Sequence, residues 1–319
     1  MKTVLVTGAA GFIGSHVAEH LLARGDTVIG IDNINDYYPV SYKRENLAQL
    51  AAHARFSFVE GDICDRDLLK RVFAGRSITH VAHLAARAGV RPSIEDPFIY
   101  QEANIRGTLS VLEAARNAQV LNTVVTSSSS VYGNSKQVPF REDDSATDRP
   151  ISPYAATKKA TEVLSYTYYS LYGMNINVVR PFTVYGPRGR PDMAPWLFLS
   201  AALSGSTIRK FGDGSTRRDY TYIDDFVCGF VNALDREFGF EIFNLGNSAT
   251  VSLNEALETV EEVASKKLAI ELLPAQLGDV DITSADISKA RRLLDYDPKT
   301  SFRHGMQLFC DWFVKNRAG

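Results

Sequence analysis

A phenol and an ammonium stand four residues apart in Tyr154-Ala155-Ala156-Thr157-Lys158, and on a helix that spacing puts them on one face. A tyrosine with its ordinary pKa of about 10 is a poor base at neutral pH. A neighbouring lysine cation favours the phenolate, as does a positive nicotinamide ring, and together they bring it into the range of an acid/base catalyst. Ser152 and Pro153 supply a cap and a first-turn proline, so the spacing predicts a helix that begins there. Upstream, Thr126-Ser127-Ser128-Ser129-Ser130-Val131-Tyr132-Gly133 sets four consecutive serine hydroxyls at the end of a strand-like run. Such a row is either a polar loop or the means of orienting a substrate alcohol toward the tyrosine. A Tyr/Lys pair alone is a common surface pattern; a second motif gives it meaning.

That motif is Thr7-Gly8-Ala9-Ala10-Gly11-Phe12-Ile13-Gly14, with glycines at intervals of three between a strand-like run and a helical one. Gly8 permits a tight turn, Gly11 lets the backbone approach a pyrophosphate, and Gly14 lets the helix pack on the sheet. The helix N-terminus offers N–H groups and a positive dipole end to phosphates. Asp32 closes the next apolar run, where a carboxylate accepts from a ribose diol and repels a 2′-phosphate, favouring NAD over NADP. Gly61-Asp62-Ile63 is a candidate adenine contact or a plain turn.

These groups need a scaffold. Apolar runs at Thr3–Thr7, Thr27–Ile31, Phe56–Glu60, His80–Leu84, Thr123–Ser127 and Ile176–Arg180 alternate with helical spacing at Phe12–Ala23, Lys43–Ala52, Asp65–Phe73, Tyr100–Asn117 and Pro153–Leu171. That alternation predicts an α/β fold, a doubly wound, mostly parallel sheet covered on both faces. After residue 180 prolines and glycines crowd the chain, and helical patterns return at Ser252–Ser265 and near Ile287–Leu294. We therefore expect a dinucleotide-binding domain over 1–180, with the strand-like run near 240–246 as a candidate to return to it. A smaller mixed α/β portion over 181–319 would carry the substrate.

The 319 residues carry 35 basic and 37 acidic side chains, a net charge of −2, which gives no global attraction to nucleic acid or an anionic membrane. Cys64, Cys228 and Cys310 are far apart and form no CxxC, so neither a disulfide framework nor a zinc site is expected. His80 and His83 leave opposite faces of a strand, and no metal is expected. No apolar run reaches membrane-helix length, and Gly8, Gly11 and Gly14 interrupt any leader-like core, which together favour a cytoplasmic location.

Read in order, TGAAGFIGSH from Thr7, HLAA from His83, SSSSVYG from Ser127, SPYAATK from Ser152, RPFTVYGPRGRPDMA from Arg180 and RRDYTYIDD from Arg217 resemble the extended short-chain dehydrogenase/reductase family. Within it they resemble the nucleotide-sugar 4-epimerases, and most closely the UDP-glucuronate branch. The resemblance implies that Tyr154 is the acid/base on the sugar 4-hydroxyl and that Lys158 holds the nicotinamide ribose and lowers the tyrosine pKa. It makes Ser128 the catalytic serine, with Ser129 beside it. It places NAD on Gly8, Gly11, Phe12, Ile13, Gly14, Asp32, Asn33, Asp62, Ile63, Leu84, Ala85 and Ala86, besides Tyr154 and Lys158. It assigns the UDP-sugar to Arg91, Ser128, Ser129, Thr183, Arg188, Arg190, Arg218 and Asp279, sets Asn104 near the centre, and implies a homodimer through two apolar helices.

Dehydratases and decarboxylases of this kind carry an acidic residue just before Val-Tyr-Gly, whereas here Ser129-Ser130 precede it. With no carboxylate to assist proton removal at C5, the reaction should stop at the 4-ketone and reverse, which is epimerisation. Arg188 and Arg190, on a proline-stiffened loop, offer planar forks to a sugar carboxylate; the alternatives are solvated charges or phosphate binders. Gln276 stands where many relatives have a phosphate-binding arginine. Neutral UDP-glucose/UDP-galactose is the rival substrate pair, and a non-catalytic NAD-binding regulator is a rival of another class.

Overall fold

Val4-Leu5-Val6 and Val28-Ile29-Gly30-Ile31 have no polar face, and in the computed structural model, which describes residues 1–274 and 280–317, they are buried on both sides. The strands among the described residues are β1 (Thr3–Thr7), β2 (Thr27–Asp32), β3 (Phe56–Glu60), β4 (His80–His83), β5 (Asn122–Thr126), β6 (Ile176–Pro181), β7 (Thr183–Tyr185), β8 (Thr207–Phe211), β9 (Arg217–Tyr222), β10 (Phe240–Leu245), β11 (Thr250–Ser252) and β12 (Ala269–Leu273). Seven of them form one parallel sheet in the order β3-β2-β1-β4-β5-β6-β10. Alternate residues sort its two faces. Val4, Val6, Val28, Ala82, Val124 and Val179 pack with Val17 and Phe226 of the helices Phe12–Ala23 and Ile223–Leu234. Leu5, Ile29, Val81, Val125 and Val178 face Leu69, Val111 and Tyr168 of the helices on the other side. The fold is the doubly wound α/β sheet that the alternation of strand and helix patterns predicts.

The remaining strands make a three-stranded sheet β11-β9-β7, with β9 antiparallel to β11 and parallel to β7, and a parallel pair β8-β12. Asp219 on β9 pins this part together: its buried carboxylate accepts the backbone N–H groups of Asn247 at 2.7 Å, Ser248 at 3.0 Å and Ala285 at 3.0 Å. Trp196, Phe309 and Phe313 pack edge to face or tilted beneath it, in a core continuous with that of the large sheet. The helices Ala194–Ser204, Ile223–Leu234 and Phe302–Arg317 lie outside the helical runs expected from the sequence.

One predicted element differs in kind. The helical run expected over Tyr100–Asn117 divides into a π-helical stretch, Gln101–Arg106, and an α-helix, Gly107–Asn117. The wider turn carries Asn104, whose Nδ2 donates to the Arg87 carbonyl and to Thr157 Oγ1, and whose Oδ1 accepts from the Arg87 N–H at 2.7 Å. An extra residue in one turn trades a regular ladder for a side chain that ties a loop to a neighbouring helix. Among the described residues no helix is long and apolar enough to cross a membrane.

Candidate active site

The carboxyl edge of the parallel sheet is where its loops converge, and the glycine turn after β1 opens it. Gly8 has φ +72°, and a Cβ there would lie 2.8 Å from the Ala85 nitrogen. At Gly14 a Cβ would sit 2.0 Å from the Gly8 carbonyl oxygen, so helix and turn interlock only without a side chain. Gly11 caps the helix Phe12–Ala23 with extended backbone and no side-chain hydrogen bond, leaving its first-turn N–H groups, from Phe12 and Ile13 onward, to a ligand. Thr7 Oγ1 accepts from the Leu84 and Ala85 nitrogens at 3.1 and 3.0 Å, and Ala86 follows them, exposed.

Asp32 ends β2 with Oδ2 accepting the Ala10 N–H at 3.1 Å and Oδ1 the Ile34 N–H at 2.9 Å. Burial pushes its pKa up and these bonds pull it back. Asn33 Nδ2 donates to Asp62 Oδ2 at 2.9 Å, so two expected adenosine contacts meet, with Ile63 buried beside them. At β5 the buried Thr126 Oγ1 has no partner among the described residues. An uncapped helix start, a glycine cradle that a Cβ would fill and an unpartnered hydroxyl fit a dinucleotide laid across the edge.

Ser152 caps the helix Pro153–Tyr172, its Oγ accepting the Ala155 N–H at 3.1 Å. In its first turn Tyr154 comes near enough to Ser128 for that hydroxyl to lower its pKa. Ser128 Oγ also accepts the Ser130 N–H at 3.1 Å, which shapes the 3₁₀ turn beginning at Ser129. Lys158 is buried and donates to the Thr126 carbonyl at 2.8 Å. Burial draws its pKa down to about 8, against the pull of Glu162. The expectation that Lys158 lowers the Tyr154 pKa is not met within the chain alone. Burial raises that pKa, and the groups opposing it are the Ser128 hydroxyl and the cation of Arg190. Lys158 instead points at a carbonyl beneath the site.

The expected arginine cluster is only partly assembled. Arg190 reaches the neighbourhood of Tyr154, with its guanidinium 5.4 Å from the centre of the Tyr37 ring and Arg87 4.5 Å from the same ring. Arg188 does not join it: its guanidinium turns to Glu19 Oε2 at 2.5 Å and Gln49 Oε1 at 3.0 Å, on the helices Phe12–Ala23 and Val40–Ala51. Arg218, half-buried on β9, donates to the Arg217 carbonyl, Thr183 opens β7 with Tyr220 as its backbone partner, and Arg91 lies exposed on the short helix Val90–Glu95. Asp279, with Gln276, lies outside the described residues. The histidines behave as strand geometry requires. His83 meets Thr7 Oγ1 at 2.8 Å and Thr108 Oγ1 at 2.9 Å, and His80 meets Thr79.

Sequence reasoning missed Tyr37, Asp192, Glu162 and Arg180. Arg190 is clasped by Asp192, two residues on, with Nε–Oδ1 at 3.0 Å. Glu162, four residues after Lys158, sits in a buried bidentate pair with Arg180 at 2.8 Å for both bonds. The Arg190/Asp192 spacing was readable, but the Arg180–Glu162 pair and Tyr37 meet their partners across the fold.

A family model described as GDP-mannose 4,6 dehydratase matches residues 5–309. The UDP-glucuronate 4-epimerase of Thermodesulfobacterium geofontis is 46% identical over 99% of this chain and 97% of its own. The crystal structure of a Bacillus cereus UDP-glucuronic acid 4-epimerase with UDP-glucuronic acid and NAD superposes with a TM-score of 0.92 at 36% identity, over 98% of this chain and 99% of that one. A Thermotoga maritima UDP-glucose 4-epimerase with UDP-glucose gives a TM-score of 0.89 at 32% identity, over 98% and 99%.

Proposed function

Since the chain belongs to the extended short-chain dehydrogenase/reductase family that the GDP-mannose 4,6 dehydratase model describes, we propose that it is an NAD-dependent isomerase interconverting UDP-glucuronate and UDP-galacturonate at C4. The observation that carries this reading is Tyr154 one helical turn from the buried Lys158, which bonds the Thr126 carbonyl at the end of β5, on the same sheet edge as the uncapped glycine turn.

Tyr154 takes the proton of the sugar 4-hydroxyl, which Ser128 orients, and returns it to the inverted oxygen when the ketone is reduced. NAD, held by the Gly8–Gly14 turn, Asp32 and the loop at Leu84–Ala86, supplies the hydride acceptor that makes this oxidation reversible. Lys158 keeps positive charge beneath the site and lies where a nicotinamide ribose would pass. Ser129 and Ser130 offer no carboxylate to pull a proton from C5, so the ketone is reduced rather than dehydrated. Arg190 is the cation that meets the uronate carboxylate, and Arg218 and Thr183 line the diphosphate and sugar side.

The sheet over 1–180, completed by β10, serves as the NAD-binding domain, and the rest of 181–319 holds the UDP-sugar. A homodimer is supported by exposed apolar side chains on neighbouring helices: Phe98 at 78%, Ile94 and Leu171 at 66% and Val163 at 55% exposure. A cytoplasmic location accords with the three unpaired cysteines. The test is incubation of the purified protein, without added NAD, with UDP-glucuronate and with UDP-glucose, products resolved by NMR. UDP-galacturonate formation that falls at least a hundredfold in Tyr154→Phe is expected. Turnover of UDP-glucose alone would overturn the substrate, and unchanged Tyr154→Phe activity would remove Tyr154 from the mechanism.

A further inference from the structure

The arginine that faces the sugar is already occupied by a carboxylate of its own loop. Arg190 Nε donates to Asp192 Oδ1 at 3.0 Å and Nη2 to Oδ2 at 2.5 Å, the side-by-side geometry in which a guanidinium receives a substrate carboxylate. The intervening Pro191 stiffens the two-residue span between them. The clasp is open to exchange from one side, because Asp192 keeps 39% of its side chain exposed while Arg190 keeps 20%. Arg190 does not depend on it for position. Its guanidinium also rests against the Tyr37 ring, whose other neighbour is the Arg87 guanidinium, and Arg87 is fixed through both its backbone groups by Asn104. The Tyr37 hydroxyl lies 3.5 Å from Asp192 Oδ2 and can hold the carboxylate once it has let go.

We propose that Asp192 is an internal stand-in for the substrate carboxylate, a specificity residue that closes Arg190 until a uronate displaces it. An anionic sugar exchanges one carboxylate for another, so Arg190 is never left unpaired. A neutral hydroxymethyl group cannot make that exchange: it either leaves the clasp shut and in its way or strips a charge of its partner. Discrimination thus comes from what the wrong sugar fails to replace. The cost to the right sugar is that its apparent affinity is reduced by the fraction of molecules in which Arg190 is open.

This inference rests on the uronate activity proposed above, and its test separates the two. Asp192→Asn keeps the shape and removes the charge, and Asp192→Ala removes both. KM for UDP-glucuronate and for UDP-glucose is measured in each, and again with Arg190→Met in place. The expected result is a KM for UDP-glucuronate lowered on the order of fivefold in Asp192→Asn and further in Asp192→Ala. The KM ratio of the two sugars should move accordingly, and the effect should vanish when Arg190 is Met. A UDP-glucuronate KM that rises in both variants would overturn the proposal, since Asp192 would then be orienting Arg190. So would equal shifts for both sugars. Wild type inert toward UDP-glucuronate but active on UDP-glucose would refute the substrate reading instead. Calorimetric titration with UDP-glucuronate then decides on Asp192: tighter binding by Asp192→Asn supports the stand-in, and unchanged binding overturns it.

Discussion

Replacing Arg180 by Met should cost the fold about 3–5 kcal/mol, although Arg180 touches no ligand in the proposed mechanism. Among the described residues it is the largest fully buried side chain, 1% exposed, on β6 between β5 and β10. Its Nε and Nη2 each lie 2.8 Å from a Glu162 carboxylate oxygen, and its Nη1 donates to the Tyr132 hydroxyl at 2.8 Å and the Glu142 carbonyl at 3.2 Å. With methionine there, Glu162 keeps the Ser127 hydroxyl at 2.6 Å and a distant Lys159 at 3.6 Å, but loses its charge partner in a dry site. A buried carboxylate left in that state accounts for most of the penalty. Glu162→Leu alone strands the guanidinium and should cost a similar amount, whereas the double variant should cost well under the sum, because neither charge then remains. Urea unfolding of the four proteins, analysed as a double-mutant cycle, measures the coupling. A loss below about 1 kcal/mol in Arg180→Met, or a double variant as unstable as the two singles added together, would refute the reasoning.

Two further outcomes follow from the same contacts. Gly14→Ala places a methyl 2.0 Å from the Gly8 carbonyl, so the turn or the helix must shift; NAD binding, read by fluorescence or calorimetry, should fall at least tenfold, and near-native binding would contradict the interlock. His16 and His83 are buried and neutral, their pKa values pushed by burial from 6.5 to about 3. Between those values the unfolded chain binds more protons, so stability rises with pH through that window and is lost as pH falls below 6.5, on the order of 2 kcal/mol per histidine by pH 5. Unfolding free energies from pH 7 to 4 check this, and a His83→Gln variant should show a shallower decline; an identical slope would exclude His83 as a contributor.

How far the sequence alone reaches is seen in particular residues. Val4-Leu5-Val6 could only be a strand covered on both sides, and Gly8, Gly11 and Gly14 had to lie on a turn, because their chemistry is local. Tyr154 and Lys158 were legible for the same reason: a helix converts a spacing of four into a shared face. What stayed hidden was non-local or a matter of direction. Arg188 and Arg190 look equivalent along the chain, yet Arg188 pairs with Glu19 while Arg190 is clasped by Asp192 near Tyr154. Lys158 was expected to act on the tyrosine, but the geometry aims it at the Thr126 carbonyl and leaves burial in control of Tyr154. The π-helical turn at Gln101–Arg106 has no signature in hydrophobic periodicity, and Arg180 reads as a stray charge in an apolar strand until its partner, Glu162, is brought across from the helix.

In the proposed reaction C4 is oxidised and then reduced by the same hydride while Tyr154 moves only the hydroxyl proton. Turnover of UDP-glucuronate carrying deuterium at C4, followed by proton NMR of the product in ordinary water, tests it directly. Return of the same hydride gives UDP-galacturonate with deuterium still at C4 and no more than traces of free ketone. Product with ordinary hydrogen at C4 would mean that the carbon was deprotonated and reprotonated from solvent, and would contradict it.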